Sequence, residues 1–180
     1  MAIRMSKTRL IIMVILIIAV VALVGIALSC NSSSSSEAPD FTLPTMTGAN
    51  IILSELEGTP VVLNFWTTTC GYCVKQLPYF EDVAQQSEEE IEVIAINVGQ
   101  SAATVQTFFG ENEPTMIIAL DIIRETFADY CQNYNNSRGY VPFTVFVDST
   151  GVVLDVRIGA FTSEEELWET LYSVFEITGP

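Results

Sequence analysis

The hydrophobic pattern of the chain is a series of short apolar runs separated by more polar segments. The runs are rich in β-branched and aromatic residues and too short for buried helices, so they predict buried strands. Three of them precede residue 121: VVLNFW (61–66), IEVIAINV (91–98) and TMIIAL (115–120). PFTVFVD and GVVLDVRI follow, and the turn residues 149–151 between them predict two strands joined by a turn.

Between the runs, apolar side chains recur at helical spacing, which predicts amphipathic helices. VKQLPYFEDVAQQSEEE predicts the first helix, and we expect Pro78 to kink it. AATVQTFFGEN predicts a short helix that ends near Gly110, and DIIRETFADYCQNY predicts a third with Asp121 as its cap. TSEEELWETLYSVF predicts the last helix, capped by Thr162 or Ser163.

The predicted elements follow the order β-α-β-α-β-α-β-β-α. Before them, the segment APDFTLPTMTGANIILSEL predicts two short extended pieces around Thr47–Gly48, an N-terminal β-hairpin. Strands that alternate with helices predict an α/β fold in which helices cover both faces of a central sheet. The two consecutive strands near the end predict an antiparallel edge, so the sheet should be mixed.

Residues 1–30 have the features of an export signal. A basic start, MAIRMSKTR, is followed by 19 residues without a charge, Leu10 to Leu28. IALSC resembles a bacterial lipoprotein signal in which Cys30 is lipidated, although Ala27 stands where leucine is usual. The alternative is an uncleaved anchor, because the run is close to the roughly 20 residues that span a bilayer.

Both alternatives place the domain, residues 38–180, on the outer face of a cytoplasmic membrane, beyond a Ser-rich tether at 31–37. Residues 37–180 contain four of the seven basic residues and all 22 acidic ones, and 4 − 22 gives a net charge of −18. Such a domain repels phosphate backbones, which argues against nucleic acid as a partner. The chain has no histidine, which excludes Ser-His-Asp and Cys-His catalysis and histidine-containing metal sites.

Cys70 and Cys73 stand where a predicted buried strand gives way to a predicted helix. The N–H groups at the start of a helix stabilise a thiolate and lower the pKa of its thiol. Cys73 lies about one helical turn further on, close enough to form a disulfide. A structural zinc site needs about four ligands, and the chain has neither a second CxxC nor a histidine. The context therefore favours a redox dithiol, in which Cys70 attacks and the more buried Cys73 resolves.

The stretches APDFTL, LSELEGTPVVLNFWTTTCGYCVKQLP and GYVPFTVFVDSTGVV, followed by an acidic last helix, resemble the thioredoxin superfamily. The resemblance is to its TlpA/ResA-like membrane-tethered thiol-disulfide oxidoreductases, and it covers nearly all of residues 38–175. It implies a thioredoxin-like fold in which the Val141–Pro142 bond is cis and faces the dithiol, where the Val141 backbone can pair with a substrate. It also implies that Trp66 and Pro78 are neighbours of the active site.

The chain departs from the family pattern at several positions around the dithiol. Thr69 stands where many relatives have a tryptophan that shields the attacking sulfur, and Gly71–Tyr72 stands where many have a proline. Gln76 replaces the glutamate of the ResA-like pattern, and Asn64 replaces the buried aspartate of thioredoxins proper. Neither usual proton acceptor is therefore present, and we expect water or an unidentified acid to deprotonate Cys73.

The resemblance implies an enzyme that reduces disulfides of exported proteins, with apocytochrome c a frequent client, and a membrane thiol-disulfide electron donor that re-reduces it. The alternative is an oxidase or isomerase of exported proteins, because TCGYC resembles the periplasmic disulfide isomerases, whose dimerisation domain is absent from this sequence. A copper-handling chaperone fits less well, because the chain lacks histidine. We expect no cofactor beyond the redox-active disulfide and no bound metal. Cys131 should be a small buried hydrophobe in the third helix, and the alternatives are an exposed third thiol or a site of mixed-disulfide formation.

Overall fold

The computed structural model of the protein describes residues 37–87 and 90–177. The predicted export signal, its Cys30 and residues 31–36 of the predicted tether lie outside the described residues. Within these two ranges, the structure contains no helix that is both long enough and apolar enough to cross a membrane.

The described residues form seven strands and four α-helices, in the predicted order. The strands are β1 (Thr42–Pro44), β2 (Asn50–Ile52), β3 (Val61–Trp66), β4 (Glu92–Val98), β5 (Ile117–Asp121), β6 (Phe143–Val147) and β7 (Val153–Ile158). The helices are α1 (Gly71–Gln86), α2 (Ala102–Phe109), α3 (Glu125–Asn133) and α4 (Glu164–Phe175), and a short 3-10 helix spans Leu53–Leu56.

Five strands form one mixed sheet in the order β5-β4-β3-β6-β7. β3, β4 and β5 are parallel, whereas β6 and β7 are each antiparallel to the preceding neighbour in that order. β1 and β2 form a separate antiparallel hairpin, which meets β5 through a bridge between Thr45 and Ala119. The predicted α/β fold, its mixed sheet and its N-terminal hairpin are confirmed.

The central strand β3 is buried on both faces, as its continuous apolar run predicts. One set of alternating side chains, Leu63 and Phe65 among them, packs against α3 and the N-terminal hairpin. The opposite set, which includes Val62 and Trp66, packs against α1 and α4. Because β3 is fixed from both sides, the loop that follows Trp66 begins from a rigid position.

The prediction for the start of α3 is wrong. Asp121 is the last residue of β5 and does not cap a helix that follows at once, because α3 begins only at Glu125 after Arg124 in a left-handed conformation, φ 65°. The Asp121 carboxylate still serves the helix, since its Oδ2 accepts a hydrogen bond from the Phe127 N–H at 2.8 Å. The turn at residues 122–124 brings the Asp121 side chain, at the end of β5, within hydrogen-bond distance of an N–H group in the first turn of α3.

The other helix ends follow the predictions more closely. α2 ends at Phe109, and Gly110 follows it with φ 62°, a conformation that glycine adopts without steric cost. Ser163 caps α4, because its Oγ accepts from the Glu166 N–H at 3.2 Å. Pro78 lies inside α1, which runs as a single helix from Gly71 to Gln86.

Candidate active site

Cys70 lies where the loop after β3 meets the first turn of α1. It is the N-cap residue of this helix, and its Sγ accepts the N–H of Cys73 at 3.1 Å. The two cysteines form a disulfide with their Cα atoms 5.2 Å apart. The helix therefore directs a free backbone donor at the Cys70 sulfur, which is the arrangement that stabilises a thiolate once the disulfide is reduced.

The two cysteines differ in exposure. Cys70 is half-buried, whereas Cys73 has no accessible surface. Thr69, Gly71 and Tyr72 around the exposed sulfur are themselves exposed, and Tyr72 keeps 72% of its surface. The sulfur that a disulfide partner can reach is therefore that of Cys70.

The loop before β6 faces this sulfur. The Val141–Pro142 peptide bond is cis, and the Val141 carbonyl oxygen lies 3.7 Å from Cys70 Sγ. The buried Asn136 holds the loop from behind: its Oδ1 accepts from the Tyr140 N–H at 2.9 Å, and its Nδ2 donates to the Tyr140 carbonyl at 2.8 Å. The sequence patterns did not indicate Asn136, because these bonds depend on the folded loop.

Hydrogen bonds from Gln100 and Asn97, here called the polar clamp, fix the loop that leads into Cys70. Gln100, which follows β4, accepts the Thr68 N–H on Oε1 at 2.8 Å and donates from Nε2 to Thr68 Oγ1 at 2.8 Å. Asn97, at the end of β4, donates to the same Oε1 at 3.0 Å. Because β3 and β4 are parallel, their carboxyl ends meet at one edge of the sheet, and the clamp joins them. Gln100 is thus a positioning residue that no sequence pattern indicates, because its bonds depend on the folded loop.

A groove of about 670 Å³ opens beside the dithiol. Its walls come from α1, from the Tyr140–Pro142 loop and from the segment after β7. Most of the lining is aromatic or apolar: Tyr72, Tyr79, Tyr140, Pro142, Ile158 and Phe161. An extended peptide lying in this groove would pass the Val141 backbone.

The interior below Cys73 contains neutral polar groups. Gln76 is fully buried, and its Oε1 accepts the Phe161 N–H at 2.9 Å. Asn64, also fully buried, donates from Nδ2 to Thr144 Oγ1 at 3.0 Å. Asn64 lies two residues from both Val62 and Trp66 along β3, so its side chain points to the same face of the sheet. This is the α1 side, on which Cys73 also lies. Gln76 Nε2, Asn64 Oδ1 and Trp66 Nε1 have no hydrogen-bond partner among the described atoms.

Two further residues lie apart from the groove beside the dithiol: Pro78, predicted as a neighbour of the active site, and Cys131, predicted as a buried hydrophobe. Pro78 is exposed and lines a different groove, with Phe108 and Phe109. Cys131 is a free, buried thiol in the cluster on the far face of the sheet from Cys73. Burial raises the pKa of the Cys131 thiol, and the opposing effect of Arg124 is smaller. A neutral, buried thiol fits the predicted role of a small hydrophobe.

The profile of the Redoxin family matches residues 33–171, which is most of the chain. The chain belongs to the Redoxin family. It is 34% identical over 134 residues to the thiol-disulfide oxidoreductase ResA of Bacillus subtilis, covering 72% of this chain and 70% of ResA. It is 32% identical over 132 residues to the thioredoxin-like protein YneN of the same organism, covering 72% of this chain and 74% of YneN.

Solved structures share the fold. A putative thiol:disulfide interchange protein DsbE of Chlorobium tepidum superposes with a TM-score of 0.66 at 25% identity, over 78% of this chain and 96% of that one. StoA of Bacillus subtilis superposes with a TM-score of 0.59 at 24% identity, over 73% of this chain and 96% of that one. The match to the Redoxin family and the 34% identity to ResA confirm the predicted TlpA/ResA-like membership. With its Cys70–Cys73 pair, this Redoxin-family chain is a thiol-disulfide oxidoreductase.

Proposed function

We propose that this Redoxin-family protein is a membrane-tethered reductase of exported proteins, acting outside the cytoplasmic membrane through Cys70 and Cys73. The observation that carries the proposal is the position of Cys70: half-exposed at the start of α1, bonded to the buried Cys73, and 3.7 Å from the Val141 carbonyl beside an open groove. Apocytochrome c, whose haem-binding thiols must be reduced, is the client class that we propose.

The reaction transfers two electrons. The Cys70 thiolate attacks one sulfur of the client disulfide, so that a Cys70–client disulfide forms and the other client sulfur leaves as a thiolate. Cys73, after losing its proton, attacks Cys70 Sγ and releases the second client thiolate. The client gains two thiols, the protein ends with its Cys70–Cys73 disulfide, and a membrane dithiol donor then restores the reduced protein. No further cofactor takes part in this scheme.

The surroundings of Cys70 support the reducing direction. The described contacts of its Sγ include one backbone N–H donor, from Cys73, and no lysine or arginine side chain. Strong oxidants of this type owe their potential to a reduced form that further interactions stabilise, whereas a thiolate stabilised by the helix start alone favours a lower potential. The proposed location rests on the sequence of residues 1–37, with its basic start, apolar run, Cys30 and serine tether.

Trapping tests the proposal. In Cys73→Ser the second step cannot occur, so the Cys70–client disulfide should accumulate and mass spectrometry should identify the client. The trap should be made in the full-length chain expressed with its N-terminal segment, with Cys70→Ser as the matched control. The proposal fails if Cys73→Ser traps no exported protein and the purified wild type does not reduce protein disulfides such as those of insulin.

An oxidase or isomerase remains the second candidate, because the exposed Gly71–Tyr72 pair between the cysteines matches that of disulfide isomerases. Reduction potential separates the directions: we expect a value near that of thioredoxin, about −270 mV, whereas about −120 mV would support an oxidant. A copper-handling chaperone fits less well, because the chain has no histidine. A metal titration in which the reduced protein binds no copper tightly would dispose of it.

A further inference from the structure

The groove beside the dithiol differs in charge from the rest of the domain. Residues 37–180 carry four basic and 22 acidic residues, yet the described side chains that line the groove include Lys75 and neither Asp nor Glu. Lys75 is exposed, and its Nζ lies 6.0 Å from the centroid of the Tyr72 ring. An ammonium group therefore stands among the side chains that line the groove, five residues along the chain from Cys70.

A second cation, Arg138, is hydrogen-bonded to Tyr140, which lines the same groove. The Arg138 Nη1 donates to the Tyr140 hydroxyl at 3.0 Å, which holds the guanidinium at the rim. Within the described part of the chain, neither Arg138 nor Lys75 has a carboxylate within salt-bridge distance. Both positive charges are therefore available to a bound molecule.

One further charged pair, Arg157 and Glu166, lies near the groove, and its two members neutralise each other. Thr162, which lines the groove, donates hydrogen bonds from its N–H and its hydroxyl to Glu166 Oε2, at 2.7 and 2.8 Å. The other oxygen of Glu166 pairs with Arg157 Nη2 at 2.6 Å. What the groove presents to a peptide is thus two unpaired cations among tyrosine rings and apolar side chains.

Resting on the proposed function, we propose that this groove selects client segments that carry an acidic residue next to the disulfide cysteine. Lys75 and Arg138 bind the client carboxylate, while apolar neighbours of the cysteine lie against Tyr72 and Tyr140. The domain as a whole repels acidic proteins, so the selection depends on where the client's negative charge lies and not on its net charge.

Two peptides of identical composition test the proposal. Each carries one intramolecular disulfide and two aspartates, which flank the cysteines in the first peptide and stand at its ends beyond a Gly-Ser spacer in the second. The pre-reduced full chain reacts with each peptide in a single turnover, followed by acid quenching and chromatography. Each rate is divided by the rate at which dithiothreitol reduces the same peptide, which removes the intrinsic effect of the aspartates on the disulfide.

We expect the normalised rate for the flanking-aspartate peptide to be about fivefold higher, the effect of one well-placed exposed ion pair. The ratio should fall towards one at about 1 M salt, where screening is strong. Lys75→Gln together with Arg138→Gln should also reduce it to about one. Arg124→Gln, which removes an arginine that does not line the groove, should leave it unchanged.

The ratio between two peptides within one variant cancels any change in the reactivity of Cys70 itself. Equal normalised rates for the two peptides with the wild-type chain would overturn the selection, as would a ratio that survives the double substitution. Those outcomes differ from failure of the proposed function, in which the chain would reduce neither peptide.

Discussion

The two cysteines of the dithiol are three residues apart in the chain, yet one borders solvent and the other lies in the core. Cys70 is half-buried, accepts a backbone N–H at the start of α1 and borders an open groove. Cys73 has no accessible surface and packs in the cluster that contains Leu77 and Phe80. On its side of the sheet, the buried polar Gln76 carries no charge.

This difference divides the two steps of disulfide exchange between two environments. The exposed side supplies access and a dipole that favours a thiolate, so the first attack belongs to Cys70. The buried side disfavours charge, so we expect Cys73 to keep its proton until a mixed disulfide forms at Cys70. Since Asn64 and Gln76 cannot take that proton, its acceptor must be a water molecule or a group that moves in.

The largest expected effect is the difference in reactivity between the two thiols. In the reduced protein, iodoacetamide should modify Cys70 at least about a hundredfold faster than Cys73, because a buried thiol reacts only after local opening. Mass spectrometry of quenched samples measures both rates, and Cys131→Ser removes the third described thiol from the comparison.

Thr69→Trp tests whether exposure controls the reactivity of Cys70. An indole next to Cys70 should slow its alkylation and leave that of Cys73 unchanged, if exposure controls the first sulfur. Equal alkylation rates for Cys70 and Cys73 in the parent chain would contradict the division between the two environments.

The surroundings of Cys70 could be predicted from the sequence to a large extent. The apolar run of β3 and the two cysteines after it predict a strand followed by a helix start, and the structure has both. These features are local, because a strand end and a helix cap depend on neighbouring residues. The role of Asp121 is not local in this sense, because its side chain accepts a hydrogen bond from a helix start six residues on, across a turn that the pattern does not predict.

The buried half depends on contacts that are distant in sequence. Gln76 meets the Phe161 N–H across 85 residues, and Asn64 meets Thr144 across 80. The sequence indicates that both side chains are uncharged, but only the folded chain shows what they hold. Asn136 and Gln100 escaped the prediction for the same reason, since each bonds to a loop whose shape tertiary structure sets.

Gln76→Leu should show how much the buried side depends on its neutral amide. The substitution leaves the buried Phe161 N–H without its acceptor, so the free energy of unfolding should fall by about 1–3 kcal/mol. Urea denaturation of the oxidised protein measures the change.

Gln76→Glu is the matched variant, because it keeps an acceptor oxygen at nearly the same volume. Burial should raise the pKa of the new carboxyl, so this variant should lose stability as pH rises from its unfolded pKa, about 4.3, through its folded one. A Gln76→Leu variant as stable as the parent would show that this bond contributes nothing to the buried side.

Gln100→Ala tests the exposed side by loosening the loop before Cys70. Loss of the bonds to Thr68 should cost about 1 kcal/mol of unfolding free energy and change the alkylation rate of Cys70 but not that of Cys73. Gln106→Ala, which removes an exposed glutamine from α2, is the control. If both cysteines respond equally, the clamp supports the whole fold and not the exposed side alone.

The smallest expected effect concerns Phe161–Thr162, a segment held from both sides. Gln76 binds it from the interior, and Glu166 binds it from the surface through Thr162. Hydrogen bonds from the Thr162 N–H and hydroxyl, together with Arg157, lower the pKa of Glu166 to about 2.

Because this folded-state pKa is depressed, its stabilising effect is complete above the ordinary glutamate pKa of about 4.3 and is lost as pH falls towards about 2. Exposure to solvent limits the effect to below about 1 kcal/mol. The difference in unfolding free energy between the parent and Glu166→Gln should therefore shrink across that interval, as measured by urea denaturation at several pH values. A difference that stays constant with pH would mean that the segment is held from the buried side alone, by Gln76.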